Sequence, residues 1–385
     1  MNYAPIALFT YNRADHTKQA VESLLKNAEA KYSDLFIFSD GPKNDKAVEG
    51  VKANRTYIRS LKEWNDIEIS QSRDTENAHS SVSLVNYHKE NKFSQDNSSI
   101  PSDDSQSASL RKEPSASDDA TQSNTPSLNR EGRGESFKSV TIIEREKNWG
   151  LANSLIAGIT EIVNKYGRVI VVEDDLILSP YFLRFMNEAL EKYKDDDRVG
   201  AISAYMPVIN EVIPNAFFLH YFHCWGWATW KCSWDMLNTD VNDLLKKIRW
   251  KTKKFNMDGA MENYGMLYCQ KKGIVDSWYI QFYASLFLKD KLVLFPKHSL
   301  VRNIGLDRSG VHSSHSEETV QQEHINVYPS TEPINLVEIP IKEDEKAYKA
   351  YRNVYKKNNS LAQSIMLYIR RIKSFVRRVL GIDLL

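Results

Sequence analysis

Cysteine is scarce. Cys224, Cys232 and Cys269 are the only three in 385 residues, and no two form a CxxC pair. A disulfide framework and a cysteine-based zinc site are therefore not indicated, which fits a reducing compartment. No apolar run is long enough to span a bilayer. The first residues, Met1-Asn2-Tyr3-Ala4-Pro5-Ile6-Ala7-Leu8-Phe9, carry neither a basic n-region nor a long apolar core. They read as a first strand and not as a secretory leader. The expectation is a cytoplasmic protein, peripheral on the inner face of the cell membrane. Charge of one sign is also missing: 51 basic side chains face 50 acidic ones, for a net charge of +1. That gives no overall case for nucleic acid as a partner.

What is present is enough apolar material, 42% of residues, for one large or two modest domains. Strand and helix alternate at the start. Ile6–Phe9 and Leu35–Phe38 read as strands, the second ended by the turn Ser39-Asp40-Gly41-Pro42. Between them Asp15 can cap a helix bearing Val21, Leu24 and Leu25. A second helix is expected over Lys46 to Leu61. From about Gln71 to Ser136 the composition turns polar and poor in apolar residues, which predicts a disordered insertion. Order resumes with a strand at Val140–Ile143 and a helix carrying Leu155, Ile156, Ile159 and Val163, ended by Gly167. Ser179-Pro180 opens another helix with Phe182, Phe185, Ala189 and Leu190 inward. Such alternation predicts an α/β fold, a mostly parallel sheet with helices on both faces.

The densest signal is Val169-Ile170-Val171-Val172-Glu173-Asp174-Asp175. Its apolar part reads as a strand buried on both faces. Three adjacent carboxylates repel one another, and burying them unpaired is costly. A hard divalent cation would relieve that cost; an acidic turn capping the next helix is the plainer reading. Ligands in such folds bind at the carboxyl ends of the strands. Asp40, Asn148 and Glu173–Asp175 all lie there, so three segments are expected to converge on one cleft.

These motifs, Thr10-Tyr11-Asn12-Arg13, Ser39-Asp40-Gly41, Asn148-Trp149-Gly150-Leu151-Ala152 and Glu173-Asp174-Asp175, resemble GT-A (Rossmann-like) glycosyltransferases. The likeness is to the inverting N-acetylglucosaminyltransferase I type and to bacterial family 2-like sugar transferases, and it covers Tyr3 to about Ser314 without the polar insertion. The resemblance implies a nucleotide-sugar donor and Mn²⁺ (or Mg²⁺), with Asp175 as the metal ligand. It implies that Glu173 and Asp174 contact ribose or donor sugar. Thr10 and Arg13 would lie at the nucleotide, Asp40 would bond the base, and Asn148 and Gly150 would let backbone approach the donor. An Asp-Asp-Trp segment supplies the base in the resembled enzymes. Here Val275-Asp276-Ser277-Trp278 keeps one acid, so Asp276 is the expected base, with Ser277 the alternative register and a helix cap the plain role. Trp225, Gly226, Trp227 and Trp278 would shape an aromatic sugar and acceptor pocket, whereas Trp230 and Trp234 read as core. His312, in the loop from Val301, would touch the diphosphate or metal.

The expected layout is thus 1–70 and 137–330 for the two halves of the GT-A domain, 71–136 the insertion, 331–360 a linker and 361–385 a basic amphipathic helix. On that last segment Leu361, Ile365, Ile369, Ile372, Val376 and Val379 share one face, among Arg370, Arg371, Lys373, Arg377 and Arg378. Residues 361–380 fit a helix lying on an anionic membrane. The combined expectation is a metal-dependent inverting hexosyl- or N-acetylhexosaminyltransferase. Its donor would be UDP-linked, UDP-N-acetylglucosamine included, and its acceptor a carbohydrate or lipid-linked glycan in surface polysaccharide synthesis. A sugar nucleotidyltransferase is the rival enzyme, although Thr10–Arg13 lacks the glycines of its phosphate loop. A catalytically inactive carbohydrate-binding relative is the rival outside enzymes.

Overall fold

Alternation of side chains along the first strands explains the layering. In β1 (Ile6–Thr10), Ala7 and Phe9 point to one face and Ile6 and Leu8 to the other, and all are buried. A computed structural model describes residues 2–89, 136–305 and 327–358. Its elements in order are β1, α1 (Ala14–Leu25), β2 (Asp34–Ser39), α2 (Asp45–Lys89), β3 (Ser139–Glu144), α3 (Leu151–Tyr166), β4 (Arg168–Glu173) and β5 (Leu176–Leu178). Then come α4 (Phe182–Lys192), β6 (Val199–Ser203), β7 (Ala216–Leu219), β8 (Trp227–Trp230), α5 (Lys231–Trp234), α6 (Val241–Ile248) and α7 (Thr252–Phe255). The order closes with α8 (Asn263–Lys271), α9 (Trp278–Leu288), β9 (Leu292–Pro296), β10 (Val301–Asn303) and α10 (Glu345–Asn358).

Eight strands form one sheet in the order β3-β2-β1-β4-β8-β6-β9-β7. The β3-β2-β1-β4 half is parallel throughout, whereas β8 runs antiparallel to both neighbours. Beyond it β6 and β9 are parallel again, and β7 pairs antiparallel with β9 at the edge. This is the mixed α/β architecture, mostly parallel and helix-covered, that the sequence predicted. One apolar layer joins Ala7, Phe9, Phe36, Phe38, Val169 and Val171 to α3 and α9; the other joins Ile6, Leu8, Leu35, Ile37, Ile170 and Val172 to α1 and α4. Each Val, Leu, Ile or Phe among them, fully buried, contributes roughly 1.5–3 kcal/mol.

The chain divides into two compact units: Met1–Glu68 with Gly134–Leu385, and Ile69–Arg133. In the second unit the described part is helical, as α2 runs to Lys89, past Gln71 where composition predicted order to end. Residues 90–135, the rest of that expected insertion, lie outside the described residues.

Two local expectations need correction. Asp15 lies in the first turn of α1 and does not cap it; Arg13 holds the N-cap position without a side-chain capping bond. Of the expected linker 331–360, the described residues up to 358 are not merely a linker. The stretch up to Asp344 runs beside β7, with Asp344 N–H donating to Phe218 O at 2.9 Å, and α10 buries Ala347, Ala350 and Tyr351. Tyr351 packs its ring on Tyr221 and Phe295. No helix among the described residues is long and apolar enough to cross a membrane. The expected membrane helix at 361–385 lies outside the described residues.

Candidate active site

Parallel strands all deliver their carboxyl ends to the same rim of the sheet, and four of them build this site. β4 ends at Glu173, and the chain turns through Asp174 and Asp175 into β5. Because β5 pairs with β10, the register that sets Leu176 opposite Asn303 carries Ile304 and Gly305 onto the acidic turn. Ile304 N–H donates to Asp175 O at 2.8 Å. Gly305 is required by close approach: a Cβ there would collide with the Asp175 carboxylate and lie 2.8 Å from Arg13 Nη1.

Arg13, just past β1, is the counter-charge. Its Nη2 donates to Asp174 Oδ1 at 2.6 Å and to Asp175 Oδ2 at 2.8 Å. Tyr11 N–H adds a bond to Asp174 Oδ2 at 3.2 Å. Arg13 Nη1 is buried with no hydrogen-bond partner among the described residues. Asp174 is buried, while Glu173 and Asp175 are half-buried. Burial raises the Asp174 carboxyl to about 6; the Arg13 charge opposes this and that of Asp175 adds to it. Burial, then repulsion from Asp175 and Asp174, raises Glu173 to about 8. Arg13 itself is held above its ordinary value: burial lowers it, and the two aspartates outweigh that. Burial and the nearby Glu173 also push the Cys224 thiol up, so it stays protonated.

Whether these residues suit a divalent cation follows from the donor set. Among the described residues no group of three His, Cys, Asp or Glu side chains is arranged to hold a metal. Asp175 spends Oδ2 on Arg13, and no hydrogen bond reaches its Oδ1 from the described residues. One carboxylate oxygen fits a metal whose other ligands come from a bound diphosphate and water, the usual arrangement for Mg²⁺.

The second wall is a loop tied down by Asp40. Its Oδ1 accepts from Gly41 N–H at 3.0 Å and Trp149 N–H at 2.9 Å, and its Oδ2 accepts from Gly150 N–H at 3.1 Å. Asn148 Nδ2 donates to Gly41 O at 2.8 Å. Most of the acceptor capacity expected to serve a base is thus spent on backbone, and Asp40 is first of all the organiser of this loop. Gly150 has φ +77°, a conformation open to glycine, and stands where α3 begins. A Cβ on Gly150 would lie 3.6 Å from Asp276 Oδ2. That approach joins the loop to the expected base, although Asp276 comes from the start of α9. Asp276 is exposed, with no hydrogen bond among the described residues, and Ser277 rather than Asp276 caps α9, its Oγ accepting from Ile280 N–H. The plain capping role for Asp276 is therefore removed, and Ser277 is taken up by it.

Other expectations fall differently. The Thr10 hydroxyl is internal, donating to Phe38 O and accepting from Asn54 Nδ2 at 3.0 Å, so it faces no ligand. Trp227 and Trp278 are core and not pocket: they are 0% and 3% exposed and stack at 5.2 Å, with Phe222 and Phe282 around Trp227. The reason is that β8 is an interior strand covered on both faces. Gly226 is buried at φ +62° and places no ring at the site. Trp225 alone of that segment stays half-buried, edge-on to Tyr205. Trp230 and Trp234 are core, as expected. His312 lies outside the described residues.

Sequence reasoning assigned no role to two further arginines. Arg55 of α2 donates to Asp40 O at 3.3 Å and Arg145 O at 2.6 Å, clamping the ends of β2 and β3. Arg145 lies 3.6 Å over the Trp149 ring, which is 47% exposed. An exposed tryptophan inside the Asn-x-Gly motif was the available signal for the second.

The family described as Glycosyl transferase family 2 matches residues 109–255. The matched stretch contains Asn148, Gly150, the acidic turn and Trp225–Trp227; Arg13, Asp40 and Asp276 lie outside it. No curated protein matches the chain. The match supports a glycosyltransferase, and the mostly parallel, helix-covered sheet is consistent with the GT-A (Rossmann-like) fold.

Proposed function

We propose that the chain is an inverting glycosyltransferase that moves a sugar from a nucleotide-sugar to a hydroxyl of a carbohydrate or lipid-linked acceptor. The observation that carries this is the meeting of three groups at one sheet rim: the Arg13–Asp174–Asp175 cluster, the Asp40-anchored loop, and Asp276 beside Gly150. A donor diphosphate would lie toward Arg13, whose Nη1 has an N–H to donate. The acceptor hydroxyl attacks the anomeric carbon, the bond from that carbon to the phosphate oxygen breaks, and the proton passes to Asp276. A carboxylate that is exposed and, among the described residues, unpaired is suited to that task. Arg13 would stabilise the charge that the diphosphate gains. A divalent cation, Mn²⁺ or Mg²⁺, would be held by Asp175 and would supply Lewis-acid neutralisation of the leaving group. Glu173 would contact a hydroxyl of the ribose or the donor sugar. A uridine diphosphate donor, a hexosyl or N-acetylhexosaminyl group and a role in surface polysaccharide synthesis complete the reading, and they rest on the motif resemblance alone.

The test is a screen of nucleotide-sugars by thermal shift, with and without Mn²⁺, since a ligand at 100 times its Kd adds about 2.7 kcal/mol. A UDP-sugar should raise Tm, with a smaller rise in Arg13→Ala. Absence of stabilisation by any nucleotide-sugar would overturn the reading.

A further inference from the structure

We propose that the exposed basic turn joining α6 to α7, centred on Trp250, docks the protein on an anionic membrane surface. Six of the nine residues from Lys246 to Lys254 are basic and none is acidic, in a chain whose net charge is only +1. Lys246, Lys247, Arg249, Lys251, Lys253 and Lys254 are all exposed. Lys247 pairs with Asp243 at 2.6 Å; no other ion pair reaches these six among the described residues. A solvated face would account for the lysines but not for Trp250, which is 83% exposed in their midst. Arg249 lies 4.7 Å over its ring, so indole and cations share one surface. On the inner side Leu244, Leu245, Ile248 and Phe255 are buried, which fixes the turn to the core and leaves the charged side outward. A second exposed turn has a similar make-up. α8, bonded to α6 through Tyr264 Oη and Leu245 O at 3.4 Å, runs into Lys271-Lys272-Gly273-Ile274, with Ile274 70% exposed.

Lysine and arginine around a protruding tryptophan are the signature of an interfacial anchor. The ring enters the headgroup region while the cations meet lipid phosphates. Nucleic acid offers phosphates too, but gives no use to an isolated exposed Ile274. The proposal does not depend on the catalytic assignment, as none of these side chains lies in the cleft.

The full chain is tested by flotation with phosphatidylcholine vesicles, with and without phosphatidylglycerol. It should bind only the anionic vesicles. Lys251→Glu with Lys253→Glu should weaken binding roughly tenfold or more. Trp250→Ala should weaken it and remove a blue shift in tryptophan emission. Both variants should melt like the parent, because every altered side chain is exposed. The proposal fails if the charge-reversed protein binds anionic vesicles as tightly as the parent, which would assign attachment to residues such as 361–380. It also fails if neutral vesicles bind equally, if neither kind binds, or if single-stranded DNA outcompetes the vesicles for this turn.

Discussion

A buried aspartate needs a positive neighbour, and among the described residues Asp174 has only Arg13. Removing one partner of a buried pair leaves the other uncompensated, so Arg13→Ala should destabilise the fold by about 3 kcal/mol, measured by denaturant unfolding. Glu173 gives a pH test. Its carboxyl ordinarily titrates near 4.5 and in the folded chain near 8. Below 4.5 both states are protonated and no stability is lost through this group. As pH rises toward 8 the unfolded chain releases its proton while the folded one retains it, so stability falls across that window. Asp174, raised to about 6, adds a fall of the same sign at lower pH. Glu173→Gln should therefore melt higher than the parent at pH 8 and show a shallower decline between pH 5 and 8; an unchanged slope would contradict this. The sequence made the carboxylates visible as a run in need of a cation. That Arg13 supplies part of that charge was not visible, because 161 residues separate Arg13 from Asp174.

At the scale of elements, the loop before α3 owes its shape to one side chain. Asp40→Ala leaves the N–H groups of Gly41, Trp149 and Gly150 without their acceptor, at about 1–3 kcal/mol for each one that stays buried. Amide hydrogen exchange should then quicken at Trp149 and Gly150 while the β1 and β4 amides stay protected. Equal protection in both proteins would show that the loop is held by something else. The strands and helices that frame this loop were legible from apolar periodicity and from Gly167. What misled was the aromatic segment around β8. Trp225-Gly226-Trp227 looks alike whether it lines a pocket or fills a core, and only the place of β8 between β4 and β6 decides that Trp227 is core. Trp278, stacked on it, follows suit.

Across the whole molecule, the parallel half of the sheet gathers the site and the mixed half supports it, with α10 packed as part of the core. Tyr351, fully buried in α10, should cost about 3–5 kcal/mol when cut to alanine, read from the shift in unfolding midpoint; a surface-like effect below about 0.5 kcal/mol would return the segment to linker status. Composition hid this helix, since its stretch is as polar as the linker it was taken for and its apolar face is narrow. The parallel arrangement, by contrast, was legible, since strand–helix alternation leaves few other topologies. The central claim is that this rim transfers a sugar with Asp276 as base, and the most direct measurement is turnover of a bound nucleotide-sugar by Asp276→Asn. The account predicts a loss of about 10²–10⁴-fold in the chemical step with donor affinity unchanged. Wild-type turnover in Asp276→Asn would contradict it.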